Sequence, residues 1–152
     1  NSRLRYQLIE NEEILLIAAR STQLARRIPN GTPLHIAQAK EERFISLAVG
    51  HSIRTVQDRL FLLSGIQPEI LLESHNFEAC RRLTLALGAV MLCPDAYVSR
   101  VPDLDLSEKL NAYPLLDGDM MRHFYLCCRR DMHFTRYMED FLLILRQELA
   151  QS

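Results

Sequence analysis

Neither charge is in surplus: 18 Lys+Arg stand against 19 Asp+Glu in 152 residues, a formal net charge of -1. A protein that grips a phosphate backbone presents a basic face, so this chain is not expected to read DNA itself. Long apolar runs are missing too. Leu142-Leu143-Ile144-Leu145 falls far short of the ~20 residues that span a bilayer, and no basic-then-apolar leader opens the chain. A soluble, cytoplasmic protein without a membrane partner is expected. The four cysteines, Cys80, Cys93, Cys127 and Cys128, contain no C-x-x-C pair and no histidine at the intervals of a zinc site, so no metal is expected. Adjacent Cys127 and Cys128 lie in an extended run, where successive side chains point to opposite faces and a mutual disulfide is badly strained. All four read as reduced packing residues, with a redox-sensing Cys93 beside a cleft as the sharper alternative. No G-x-S-x-G elbow, G-x-G-x-x-G turn or G-x-x-x-x-G-K-[ST] loop occurs. Catalytic residues and cofactors are therefore not expected.

What remains is ordinary material for a folded domain, with 48% hydrophobic and 24% charged residues and the length of one domain or two small lobes. The chain opens at Asn1 rather than a methionine and reaches Ile14-Leu15-Leu16-Ile17 almost at once, which reads as a fragment of a longer protein. The apolar block Glu13–Ala19 fits a strand buried on both faces, as in a parallel sheet. Gln23–Glu42, with the turn Pro29-Asn30-Gly31-Thr32-Pro33 and a short helical pattern over Leu34–Ala39, reads as a surface excursion. Phe44–Val49 predicts a second strand, and Ile53, Val56, Leu60 and Leu63 recur at helical spacing until Ser64-Gly65. Pro68 then leads into the strand Glu69–Glu73, and a helix with Phe77, Cys80, Leu83 and Leu87 on one face runs to Gly88 before the strand Ala89–Cys93. Two such β-α-β units, with the later return strands, imply an α/β fold with helices on both faces of a mixed, mostly parallel sheet. After an irregular stretch through Val101-Pro102-Asp103, Leu110–Leu116 and His123–Cys128 read as an antiparallel return, and Tyr137–Leu149 as an amphipathic helix. The pairs Arg26-Arg27, Arg81-Arg82 and Arg129-Arg130 read as solvated surface.

In such folds ligands bind where strands end and helices begin, because unpaired amides and the helix dipole favour an anion there. Two such places are visible on one sheet edge: Gly50, His51, Ser52 and Ile53, and Ser74, His75, Asn76 and Phe77. Helix capping accounts equally for Ser52, Ser74 and Asn76.

The run Pro68-Glu69-Ile70-Leu71-Leu72-Glu73-Ser74-His75-Asn76-Phe77-Glu78-Ala79-Cys80, followed by Leu87–Pro94, closely resembles the effector-binding domain of LysR-type transcriptional regulators. Glu12–Ala18, Phe44–Gly50, Arg122–Arg129 and the helix to Leu149 are similar to other parts of that family. The resemblance implies a periplasmic-binding-protein-like (type 2) architecture. Residues 1–20 would be a crossover strand from a first lobe, 21–116 the second effector-binding lobe, and 117–152 the return strand and last helix of the first. It further implies a small-molecule effector, anionic ones included, held between lobes by Gly50, His51, Ser52, Ile53, Ser74, His75, Asn76 and Phe77. The intact regulator would be a homodimer or tetramer that reaches DNA only through an amino-terminal winged helix-turn-helix. A solute-binding or enzyme lobe of the same architecture, or an oligomerisation module, are the alternatives.

Overall fold

The sheet is built around one long strand, β1, which runs 16 residues from Leu4 to Ala19 in this computed structural model, whose described residues are 3–99 and 108–150. The expected irregular stretch Val101-Pro102-Asp103 lies outside the described residues. Only Glu13–Ala19 was legible as strand. Leu4–Glu12 is extended as well because it finds a partner in β6, Met121–Arg129. Contacts running from Glu12 with Arg122 to Arg3 with Arg130 make that pairing antiparallel.

The remaining strands are β2 Phe44–Leu47, β3 Ile70–Ser74, β4 Val90–Pro94 and β5 Leu110–Pro114, in the order β3-β2-β4-β1-β5. β2 runs parallel to β3 and β4, as the two β-α-β units require, whereas β1 is antiparallel to both β4 and β5. The sheet is therefore mixed, and the parallel reading of Glu13–Ala19 is corrected. A strand buried on both faces shows the same apolar block in either direction, so composition could not fix its sense. The antiparallel return expected of the last two strands is made on β1, with which both β5 and β6 pair.

The described elements also include helices α1 Gln23–Arg27, α2 Ser52–Ser64, α3 Phe77–Ala86, α4 Ala96–Ser99 and α5 Arg136–Ala150, with a 3-10 turn at Ile36–Ala39. Thr22 caps α1 by accepting the Ala25 N–H, and α2 stops at Gly65, whose φ of +63° only glycine adopts without strain. Side chains alternate along β2: Phe44 meets the α2 ring of Phe61 at 5.0 Å and Ser46 accepts a hydrogen bond from Gln57 of α2. Ile45 and Leu47 must then face the other side, where a right-handed crossover puts α3. Both faces of β2 and β4 are covered, and every residue of these two strands is buried. Ser46 and Gln57 are buried polar groups that satisfy each other, which removes most of their desolvation cost.

The chain divides into two compact units, Asn1–Glu12 with Met121–Ser152, and Glu13–Met120. Glu13–Ala19 thus serves the larger unit, between β4 and β5, instead of remaining with the first part of the strand. In the smaller unit, β6 and α5 flank an apolar groove of about 420 Å³, and α5 buries none of its residues. Cys80 and Cys93 are buried as expected, but Cys127 is exposed, so it is not a packing residue.

Candidate functional site

β2 and β3 end side by side. Leu47 is in register with Ser74, and the Ala48 N–H closes the ladder on the Ser74 carbonyl at 3.0 Å. From these adjacent ends the chain departs to opposite faces, into α2 from one and α3 from the other. The carboxyl ends of parallel strands, at the point where the connections diverge, are where open α/β sheets place a ligand crevice. The two predicted segments are its two lips.

Gly50 is exposed with φ +97°, a left-handed conformation that turns the backbone from β2 into α2. His51 is the N-cap residue of α2 yet makes no side-chain cap bond, and its buried Nδ1 has no hydrogen-bond partner among the described residues. Ser52 is exposed at the first helical position. Ile53 belongs to the core at 3% exposure, so its side chain packs the interior rather than facing the crevice. On the other lip, Ser74 Oγ accepts the Asn76 N–H at 3.1 Å and Asn76 Oδ1 accepts the Ala79 N–H at 3.0 Å. Capping thus engages both oxygens, and His75 stands exposed between them. Phe77 is half-buried against Tyr97, with ring centroids 4.3 Å apart.

Two arginines matter that motif reading passed over. Arg54, in the first turn of α2, donates to the Leu47 carbonyl at 3.0 Å, to Glu73 at 2.7 Å and to Asp58 at 2.8 Å. It therefore ties the α2 lip to the ends of both strands, and its carboxylate partners, Asp58 first, raise its pKa further. Arg81 corrects the surface reading of Arg81-Arg82: it is buried at 2% exposure while Arg82 is exposed. Its Nη1 donates to the Tyr97 carbonyl, and Nε lies 3.3 Å from a Glu78 carboxylate oxygen without hydrogen-bond geometry. Nη2 has no partner. An open groove of about 640 Å³ lies elsewhere, lined by residues of α1 and the 3-10 turn, and contains none of the predicted residues and no orphaned polar group. Among the described residues no cluster of His, Cys, Asp and Glu is arranged to hold a metal ion, and no helix is long and apolar enough to cross a membrane.

The family model of the LysR substrate binding domain matches residues 1–150. The chain belongs to this family. Among solved structures it is similar to the regulatory domain of CcmR from Synechocystis PCC6803 in complex with 2-PG, at 18% identity and a TM-score of 0.75 over 96% of this chain and 67% of that one. It is also similar to the BenM effector binding domain with its effector benzoate, at 20% identity and TM-score 0.69 over 99% of this chain and 65% of the other. Full-length CbnR complexed with target DNA matches at 17% identity and TM-score 0.69, over 98% of this chain and 50% of CbnR. The LysR substrate-binding chain thus spans about two thirds of the effector-binding domains and half of the full-length regulator. No curated protein sequence matches it. At these identities the likeness to solved structures carries the fold, an α/β architecture with a mixed sheet, and the crevice must speak for itself.

Proposed function

We propose that this LysR substrate-binding domain senses a small-molecule effector in the crevice between the β2 and β3 ends, without catalysing a reaction on it. The observation that carries the reading is the pair of helix starts, Gly50–Ile53 and Ser74–Phe77, that diverge from adjacent parallel strand ends tied by the Ala48–Ser74 hydrogen bond. Helix amides supply donors there, His51 Nδ1 supplies a buried polar atom without a partner, and Phe77 supplies apolar area. In the whole regulator, a cytoplasmic homodimer or tetramer on this reading, the effector would be enclosed between this lobe and a first lobe. The DNA-binding winged helix-turn-helix would be carried outside the chain.

The mechanism is a shift of populations. An effector held by both lobes favours the lobe geometry it fits, and it moves the equilibrium only by its difference in affinity for the two geometries. BenM with benzoate and CbnR with DNA are the two ends of such a pathway in relatives. The test is a thermal-shift screen of small carboxylates, aromatic acids, amino acids and phosphates against this chain and against the chain extended at its amino terminus. A ligand at about 100 times its Kd stabilises by about 2.7 kcal/mol, well within detection. The expected result is a ligand that raises the Tm of the extended chain, with the shift reduced in His51→Ala. A screen in which no compound stabilises either chain counts against effector sensing, and turnover of any compound counts against a purely regulatory role.

A further inference from the structure

The apolar groove of about 420 Å³ in the smaller unit contains none of the predicted site residues. Leu4, Leu126, Met132, Phe134, Met138 and Phe141 line it, and Arg129 is the one charged residue on its wall among the described residues. Its volume is that of a small-molecule pocket, and two unbranched methionines give it a wall that adapts to a flexible occupant. The wall stands open to water, with Phe141 62% exposed. One end of the groove is crowded with cations. Residues 3–5 and 129–136 hold Arg3, Arg5, Arg129, Arg130 and Arg136 against a single acid, Asp131, although the whole chain is balanced at -1. The fold joins these two stretches. The Arg130 N–H donates to the Arg3 carbonyl at 3.0 Å, Arg130 Nε donates to the Leu4 carbonyl at 3.3 Å, and the Arg5 guanidinium lies 5.2 Å from the centre of the Phe134 ring. Asp131 accepts two N–H groups of Arg129, at 3.0 and 2.6 Å, and so neutralises that one. Arg5, Arg130 and Arg136 are exposed and have no carboxylate partner among the described residues.

We propose that this groove takes the chain of a free fatty carboxylate, with the acid group among Arg5, Arg130 and Arg136. The wall is almost wholly carbon and sulfur, so the polar end of an occupant has to sit at the rim, and the rim beside Leu4 and Phe134 is positive. A carboxylate there meets guanidinium donors that no acid of the chain has taken, while Arg5 keeps its place on the Phe134 ring. A second copy of this chain would bring like charges together across a two-fold axis, and a whole helix, about 10–12 Å across, outsizes the groove. One extended acyl chain with a single negative head matches both the volume and the charge. The site is separate from the two helix starts and does not depend on the effector reading.

The experiment titrates ¹⁵N-labelled chain with octanoate, decanoate, decanol and decyltrimethylammonium, each below its micelle concentration. The expected result is saturable movement confined to the amides of residues 126–129 and 138–142. Each buried methylene strengthens binding about fourfold, so decanoate is expected to bind about tenfold or more tighter than octanoate. It is expected to exceed decanol by about tenfold, and the cationic amphiphile to bind more weakly than decanol. Arg5→Gln and Arg130→Gln, both at exposed positions, are expected to weaken decanoate about fivefold each and to leave decanol unchanged, whereas Phe141→Ser weakens both ligands. Decanol binding as tightly as decanoate overturns the proposal and leaves a bare apolar face. Movement at residues 50–53 or 74–77 instead puts the carboxylate in the crevice, which keeps effector sensing and removes the groove site. Failure to bind free decanoate, with sedimentation on phosphatidylglycerol vesicles, makes the surface a membrane contact, and a doubled mass that Phe141→Ser abolishes gives the groove to a second copy; either outcome overturns the ligand. Decanoate in the groove beside an empty thermal-shift screen retains this site while the effector reading falls.

Discussion

Arg54 and Cys80 show how differently a single side chain can support one lip. Arg54 joins Leu47, Glu73 and Asp58, but the two carboxylate side chains are 44% and 56% exposed, so water screens both ion pairs. The bond to the Leu47 carbonyl is the better protected part. Arg54→Met is expected to cost about 1 kcal/mol in urea denaturation, with Lys restoring little of it because a single ammonium cannot reach three acceptors in a fork. Cys80 acts through burial: its thiol lies 3.5 Å from the Ser46 carbonyl, and desolvation pushes its pKa above the ordinary 9.0. A raised thiol pKa favours the neutral folded form, so this contribution is fully present below the unfolded pKa. It declines once pH rises past that value, where the unfolded thiol ionises and the folded one does not. Stability is expected to fall as pH rises above the ordinary thiol range, by a component that Cys80→Ala removes, as pH-dependent denaturation would show. Thiol labelling gives the complementary readout: exposed Cys127 reacts first in the native chain, and Cys80 and Cys93 only on unfolding. Equal rates for Cys80 and Cys127 would contradict the burial described here.

At the scale of elements, α2 is the clearest case of a helix specified by its pattern. Ile53 and Leu60 are buried at 3% exposure while Leu62 is 81% exposed, although Leu60 and Leu62 are only two positions apart. Leu60→Ala is therefore expected to cost about 2–4 kcal/mol and Leu62→Ala less than about 0.5 kcal/mol by chemical denaturation. Similar costs at the two positions would mean that the helix presents another face. The succession from β2 to β4 was legible because Gly65, Pro68 and Gly88 punctuate it and the apolar period changes between strand and helix. α3 was legible as a helix but not in its rotation. The pattern Phe77, Cys80, Leu83, Leu87 names one stripe, whereas the structure buries Cys80, Arg81 and Thr84. An arginine is solvated by default, so nothing local marks Arg81 as an interior residue. The first half of β1 carried a signal that went unread, the alternation Leu4-Arg5-Tyr6-Gln7-Leu8 of a strand with one polar face, and β6 lies beside it. The two helix starts were legible in place, and so was the capping role of Asn76, whereas the core position of Ile53 was not read from the pattern around Gly50.

For the molecule as a whole, burial is concentrated in one of the two units. β2 and β4 are buried at every position, and with Ile14–Ala18 they form the centre of the hydrophobic core. Within the other unit α5 buries no residue and leaves Tyr137 86% and Phe141 62% exposed. Protection against hydrogen exchange follows buried contact, since an element with little of it opens without unfolding anything else. Amides of β2 and β4 are therefore expected to exchange only through global unfolding, and those of α5 through local opening, each 1.4 kcal/mol between them appearing as a tenfold difference in rate. Substitutions should divide in the same way. Phe44→Ala in β2 removes a fully buried ring and is expected to cost about 3–5 kcal/mol, whereas Phe141→Ser in α5 changes the main unfolding transition by less than about 0.5 kcal/mol. If α5 amides were as protected as those of β2, and Phe141→Ser shifted the transition as Phe44→Ala does, the chain would be a single cooperative unit. An effector bound at the crevice would then stabilise every element alike. If protection divides as expected, its stabilisation should appear in β2, β3 and α3 and leave α5 exchanging at its own rate, so exchange with and without ligand also locates the site.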